Sequence, residues 1–248
     1  MATPSAPAAI PSSSSPAASG VHASAERILV LACGALVNEL QAIVGVHGLD
    51  HVDVECLPAK LHNRPSLIAG AVRERIARLQ ATGRTYQQVL LGYADCGTAG
   101  TLDDLCEEFT AKSATGGAPA MSRIEGAHCY EFFATAQRFA EMSEAEPATF
   151  YLTDYLARHF DLLVWRGLGI ADHPELAELY FGNYRRVVLL TQTPDGTERA
   201  RITEFARAGA ERLGLPLEIV ETGYGDLETA LIHVAAPRGR SVIAQVPA

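Results

Sequence analysis

The chain has 248 residues, of which 48% are hydrophobic, and its 29 acidic against 20 basic side chains give a net charge of −9. A chain this long and this apolar buries a sizeable core as one large domain or two small ones, which excludes a disordered or fibrous class for its bulk. With no run of Lys or Arg longer than Arg185-Arg186, it is a poor match for a nucleic-acid backbone or an anionic membrane surface.

Residues 1–24 are rich in Ala, Pro and Ser and hold no Lys or Arg. They lack both the charged and the apolar region of a signal peptide, so they read as a disordered leader before a folded region at 25–248. No apolar run approaches the roughly 18 to 20 residues that cross a bilayer. The cysteines at 33, 56, 96, 106 and 129 are odd in number, which suits reduced thiols in a cytoplasmic setting better than a disulfide framework.

From residue 27 the chain alternates. Arg27 to Ala32 reads as a strand, Cys33-Gly34 as a tight turn, and 35–46 as a helix with Leu36, Leu40, Ile43 and Val44 at helical spacing. Val52 to Leu57 is a second strand, followed by a loop from Pro58 to Pro65 and a helix over 66–80 that Gly83 terminates. The third unit has a strand at 88–94, a glycine-rich turn at 95–100 and a helix at 102–109. An exposed connection at 113–119 leads into 121–184, whose helical periodicity and aromatics, including Phe132, Phe139, Tyr151 and Trp165, suggest an inserted helical lobe; Thr149 to Asp154 is placed on one of its helices. A strand at 186–190, a helix at 198–213 and a strand at 217–221 follow. The class is α/β, a mostly parallel sheet covered by helices on both faces.

Cys33 and Cys96 each lie just past a strand. Parallel strands put such positions on one edge, where ligands of open α/β sheets bind. Cys129, beside His128, falls at the start of a helix, and a helix N-terminus lowers a thiol pKa. Three converging thiolates suit zinc with an open fourth position, or an iron–sulfur cluster with one iron left for substrate. Cys56, mid-strand, and Cys106, spaced with Leu102, Leu105 and Phe109, read as small core hydrophobes.

On the same edge, the loop after the second strand carries Lys60, His62, Asn63 and Arg64, polar groups able to grip a carboxylate or phosphate. Asn63-Arg64-Pro65 also suits a helix start. Asp95 fits a base, a ligand or a turn cap. The candidate assignment is His62 and Asp95 as catalytic groups, with Lys60, Asn63, Arg64 and Thr98 binding substrate. His159 beside Arg158, and Asp172-His173-Pro174-Glu175, offer further polar groups in the lobe, and Gly223-Tyr-Gly-Asp226 is expected to complete the pocket. Asp95 to Gly100 lacks the Lys-Ser/Thr ending of a P-loop and the glycine spacing of a dinucleotide fingerprint. No Gly-x-Ser-x-Gly elbow is present.

Taken together, Leu-Ala-Cys-Gly-Ala-Leu at 31–36, Leu-His-Asn-Arg-Pro at 61–65, Asp-Cys-Gly-Thr-Ala-Gly at 95–100, Glu-Gly-Ala-His-Cys-Tyr-Glu at 125–131 and Phe-Tyr-Leu-Thr-Asp-Tyr-Leu at 150–156 resemble a bacterial and archaeal domain family of unknown function. Its members are often encoded near corrinoid-dependent methyltransferases, and the resemblance spans about 27–232. It implies a setting in one-carbon metabolism, with a corrinoid or methyltransferase protein as partner, and it supplies no catalytic residues. Zinc held by thiolates would suit methyl transfer, whereas a cluster with an open iron would suit redox or lyase chemistry. The alternatives are a non-catalytic module that binds a small anion or a corrinoid protein, and a metal-free enzyme using Cys33 and Cys96 as paired thiols in the manner of two-cysteine racemases.

Overall fold

The computed structural model describes residues 27–236; the leader expected at 1–24 lies outside them. Its strands and principal helices run β1 (Ile28–Cys33), α1 (Val37–His47), β2 (Val52–Leu57), α2 (Ile68–Ala81), β3 (Gln88–Gly92), α3 (Thr101–Ser113), β4 (Ala120–Arg123), α4 (Cys129–Ala134), α5 (Ala136–Ala145), β5 (Thr149–Thr153), α6 (Asp154–Arg158), α7 (Leu176–Phe181), β6 (Arg186–Thr191), α8 (Thr197–Leu213), β7 (Leu217–Glu221) and α9 (Gly225–Ala235). Short 3₁₀ turns at Gly34–Leu36, Ala59–Asn63 and Pro65–Leu67, and a π turn at Asp161–Trp165, complete the order.

The strands divide into two sheets, β2-β1-β3-β4 and β5-β6-β7, with every pairing parallel. Ile-Leu-Val-Leu-Ala in β1 and Val-Leu-Leu in β3 are continuous apolar runs, as strands buried on both faces require, and Leu29, Val30 and Leu31 are fully buried. One face of the first sheet packs on α2 and α3 through Val72, Ile76, Leu102 and Leu105. The other packs on α1, α4 and α9 through Leu40, Ile43, Phe132, Phe133, Leu227 and Leu231. The second sheet is covered on one face by α6 and α8, with Ala157, Ile202, Ala206 and Ala210. Its other face meets Ala134, Phe139 and Met142 of α4 and α5.

Two features join the halves. After β7 the chain returns to the first sheet as α9. The start of that helix sits so close to α4 that a Cβ at Gly225 would come within 2.3 Å of the Phe133 carbonyl oxygen. In addition, Tyr130 of α4 packs its ring 5.7 Å from Tyr151 of β5 and donates its hydroxyl to the Tyr151 carbonyl at 3.1 Å.

The stretch 121–184 is rich in helix but also supplies β4 and β5. Thr149 to Thr153, expected on a helix, is strand β5, paired with β6 from Thr149↔Arg186 to Thr153↔Leu190. Its β-branched and aromatic residues fit a pleated, buried surface, and Asp154 begins α6 directly after it. Gly223 to Asp226 opens α9 against the first sheet and takes no part in the cavity described below.

Candidate functional site

Carboxyl ends of β1 and β3 meet at one rim, where Ala32 pairs with Gly92. A Cβ at Gly92 would lie 2.6 Å from the Ala32 Cβ, so glycine lets the two strand ends approach and sets Cys33 beside the Tyr93-Ala94 backbone. Pairing continues beyond the sheet: the N–H groups of Asp95 and Cys96 donate to the carbonyls of Gly126 and Ala127 at 2.9 and 3.0 Å. This ladder draws the Cys96 turn alongside the chain entering α4. There the Glu131 side chain accepts the Ala127 and His128 N–H groups at 2.9 and 3.1 Å and fixes the helix start at Cys129. Cys96 itself has a φ of 51°, a left-handed conformation that costs a residue with a Cβ about 1 kcal/mol or more.

The outcome is a cavity of about 260 Å³ whose wall includes Cys33, Cys96 and Cys129. Tyr93 and Tyr130 stand on the first-half side; Phe150, Thr153, Tyr155 and Leu163 close it from the second half. The lip is the turn Ala59–Asn63, of which Ala59, His62 and Asn63 reach the wall. Gly34 lets this lip settle on the Cys33 turn, since a Cβ there would meet the Leu57 carbonyl oxygen at 2.9 Å. On its other side Pro65 abuts Gly97, just after Cys96.

The thiols are close enough that a charge on Cys33 would raise the proton affinity of Cys96, and charges on Cys96 and Cys33 that of Cys129. Burial is the larger effect. It pushes the Cys33 thiol up, Cys96 up to about 11, and Cys129 up further. The helix N-terminus is expected to lower Cys129; desolvation outweighs it, because α4 has only six residues and Cys129 packs against the core of the first sheet. Among the described residues, no three His, Cys, Asp or Glu side chains stand where they would share one metal ion.

Of the remaining expected residues, His62 and Asn63 line the cavity, and Lys60 and Arg64 are exposed on its lip. Partial burial and the neighbouring His128 bias the His62 ring toward its neutral form. Asp95 is not on the wall. Its carboxylate accepts Gly100 N–H at 2.9 Å, Gly97 N–H at 3.2 Å and the Thr98 hydroxyl at 3.0 Å, and the Gly100 bond first of all holds it below the usual carboxylate range. Asp95 therefore caps the glycine-rich turn, and Thr98, buried beneath it, serves that same turn. His159 packs on Tyr155 with ring centroids 4.4 Å apart, and His173 is exposed with Glu175 at 3.3 Å; both stand off the wall.

Two buried acids have no site role in the sequence reading: Glu39, which it does not single out, and Asp154, which it places only at the end of the segment from Thr149. Glu39, in the first turn of α1, is 5% exposed with an unpartnered Oε2, and burial, reinforced by Asp154, raises its pKa to about 7. Asp154 is fully buried. Neither stands out in sequence, since an acid in the first turn of a helix is commonplace.

Residues 56–231 match the model of a family described as a protein of unknown function, DUF1638. The chain belongs to this family. Cys96, Cys129 and the lip fall inside the matched segment; Cys33 lies ahead of it. No curated protein and no solved structure matches the chain. Among the described residues no helix is long and apolar enough to cross a membrane.

Proposed function

We propose that Cys33, Cys96 and Cys129 hold an iron–sulfur cluster in this cavity, each thiolate on a different iron, with the remaining iron open to a small substrate. One observation carries the reading: three sulfur-bearing turns, from β1, β3 and the start of α4, face a single cavity. Burial supports it further, since it makes a free thiolate costly here and a cation that displaces the proton offsets that cost. Cluster ligands sit on separate irons and need not share one ion, so the lack of a three-ligand single-ion site among the described residues bears on tetrahedral zinc.

When bound, such a cluster supplies a Lewis-acidic or redox-active iron. The chain's own residues exclude water with the aromatic wall and place His62 and Asn63 beside the entering ligand. A cavity of about 260 Å³ is below the roughly 300–1,000 Å³ usual for drug-sized ligands, so the substrate is small. A corrinoid or methyltransferase protein, if it is the partner, approaches the lip without inserting its cofactor.

Purification of the full chain without oxygen, followed by iron and acid-labile sulfide analysis and an absorbance spectrum, tests the proposal. Iron and sulfide in similar amounts, lost in Cys96→Ser, are expected. Less than about half an equivalent of iron per chain, given the tight binding of thiolate-held centres, would overturn it.

A further inference from the structure

We infer that the ligand of this cavity is a small organic anion whose carboxylate or phosphate is held at the lip by Lys60 and Arg64 while its apolar body lies inside. The inference rests on the proposed reading only in taking the cavity as the substrate's seat. The wall carries no Asp, Glu, Lys or Arg among its residues. A charged group carried inside would therefore find no charged side chain other than the thiols to replace its hydration, and an exposed cation at the mouth is the protein's own means of holding one.

Two unpaired cations stand on the lip. Among the described residues, Lys60, Arg64, Arg138 and Arg185 are the Lys and Arg side chains that form no ion pair. Arg138 donates to the Glu221 carbonyl, and Arg185, a single cation ahead of β6, is not on the cavity wall. Lys60 and Arg64, by contrast, have neither ion pair nor side-chain hydrogen bond, and they flank His62 and Asn63 on one short turn. In a chain of net charge −9, two neighbouring cations left without an acid make a local exception to the surrounding field. The contacts at Gly34 and Gly97 anchor this turn, so the charges stand on a fixed support beside Cys33 and Cys96. Asn63 adds amide donors, and an arginine fork matches carboxylate or phosphate oxygens. A cationic ligand would find no carboxylate on the wall.

Calorimetry on the full chain, purified without oxygen, tests this with benzoate and phenyl phosphate as probes and benzylammonium and benzyl alcohol as comparators. Both anions are expected to bind, more weakly as salt rises, and at least about tenfold more tightly than either comparator. Lys60→Ala/Arg64→Ala should lose about tenfold in anion affinity with melting temperature unchanged, because neither side chain has a structural partner. The inference is overturned if benzylammonium binds as well as benzoate, if the double variant retains wild-type affinity, or if neither anion binds at about 10 mM. A Cys33→Ser/Cys96→Ser/Cys129→Ser variant separates the two claims: it keeps anion binding if the lip acts as inferred, whether or not the wild-type chain holds iron. Preference for benzoate over phenyl phosphate, or the reverse, distinguishes the two head groups.

Discussion

At the carboxyl rim of β5-β6-β7, Asp154 accepts the N–H groups of Gln192 and Thr193 at 3.1 and 2.7 Å, its own N–H donates to Gln192 Oε1 at 3.0 Å, and Thr222 N–H donates to Thr191 O at 3.1 Å. Side chains and backbone there bond to each other across all three strand ends. At the rim of β2-β1-β3-β4, the turns after β1 and β3 present thiols to a cavity, and the Tyr93 hydroxyl is buried with no partner. Both rims come from strand-turn-helix units, so the difference lies in what the turns carry. Each rim keeps buried polar atoms without a partner, the Tyr93 hydroxyl at the first and Asp154 Oδ1 and Thr191 Oγ1 at the second, so what separates them is the bonding that ties the second rim's strand ends together and the thiols that the first presents to the cavity.

The sharpest way to break this contrast is Asp154→Ala. The substitution strands the N–H groups of Gln192 and Thr193, while the bond from the residue-154 N–H to Gln192 Oε1 survives it, and should cost about 3 kcal/mol in denaturant unfolding, with probe binding at the other rim intact in the folded fraction. A cost under about 1 kcal/mol would show that the second rim is not the structural one.

Glu39 gives the next largest effect, and it is tied to pH. Its carboxyl pKa rises from 4.5 to about 7 on folding, so below 4.5 both states hold the proton and its contribution is complete. Between those values the unfolded chain ionises freely while the folded one resists, and stability falls as pH rises through 7. The difference, about 2.5 units, corresponds to about 3 kcal/mol. Glu39→Gln should therefore be more stable than wild type at pH 8 by up to that amount relative to pH 5, as read by urea unfolding at both values. Equal pH slopes for the two proteins would show that Glu39 is not held protonated between the halves.

Most of this architecture is legible in the sequence because its strands are short aliphatic runs ended by glycine-rich turns: β2 and β7 fall on the residues expected, and β1, β3 and β6 within two residues at their ends. The placement of Cys33 and Cys96 on one rim is legible too, since parallel strands send their carboxyl ends the same way, whereas Cys129 reaches it through the pairing of the Cys96 turn with Gly126 and Ala127. What periodicity does not reveal is which strands share a sheet. The short β4 and β5 hide among helices, and the return of α9 to the first sheet depends on a close approach at Gly225 that no local pattern encodes. The thiols' acidity differs from expectation for a related reason: desolvation is set by tertiary packing, for Cys129 by the core that α1, α4 and α9 form on the first sheet, whereas a helix start is visible locally. Asp95 reads in sequence as a base, a ligand or a turn cap, and its bonds to Gly97, Thr98 and Gly100 make it the cap and take it from the catalytic role also assigned to it.

The smallest expected effect falls at Cys96, and its smallness is informative. Replacing the residue by glycine loses a half-buried thiol, worth about 1 kcal/mol or less of apolar burial. It also relieves a left-handed backbone that costs a similar amount when a Cβ is present. Those contributions oppose each other, so Cys96→Gly should shift unfolding stability by under about 1 kcal/mol in protein from which any metal has been chelated. A fold that is indifferent to a strained cysteine has no packing reason to keep it. If the same substitution costs the chelated protein about 3 kcal/mol, a large core-type loss, Cys96 is a packing residue, and the contrast between a binding rim and a structural rim fails at the turn where it is most exposed to test.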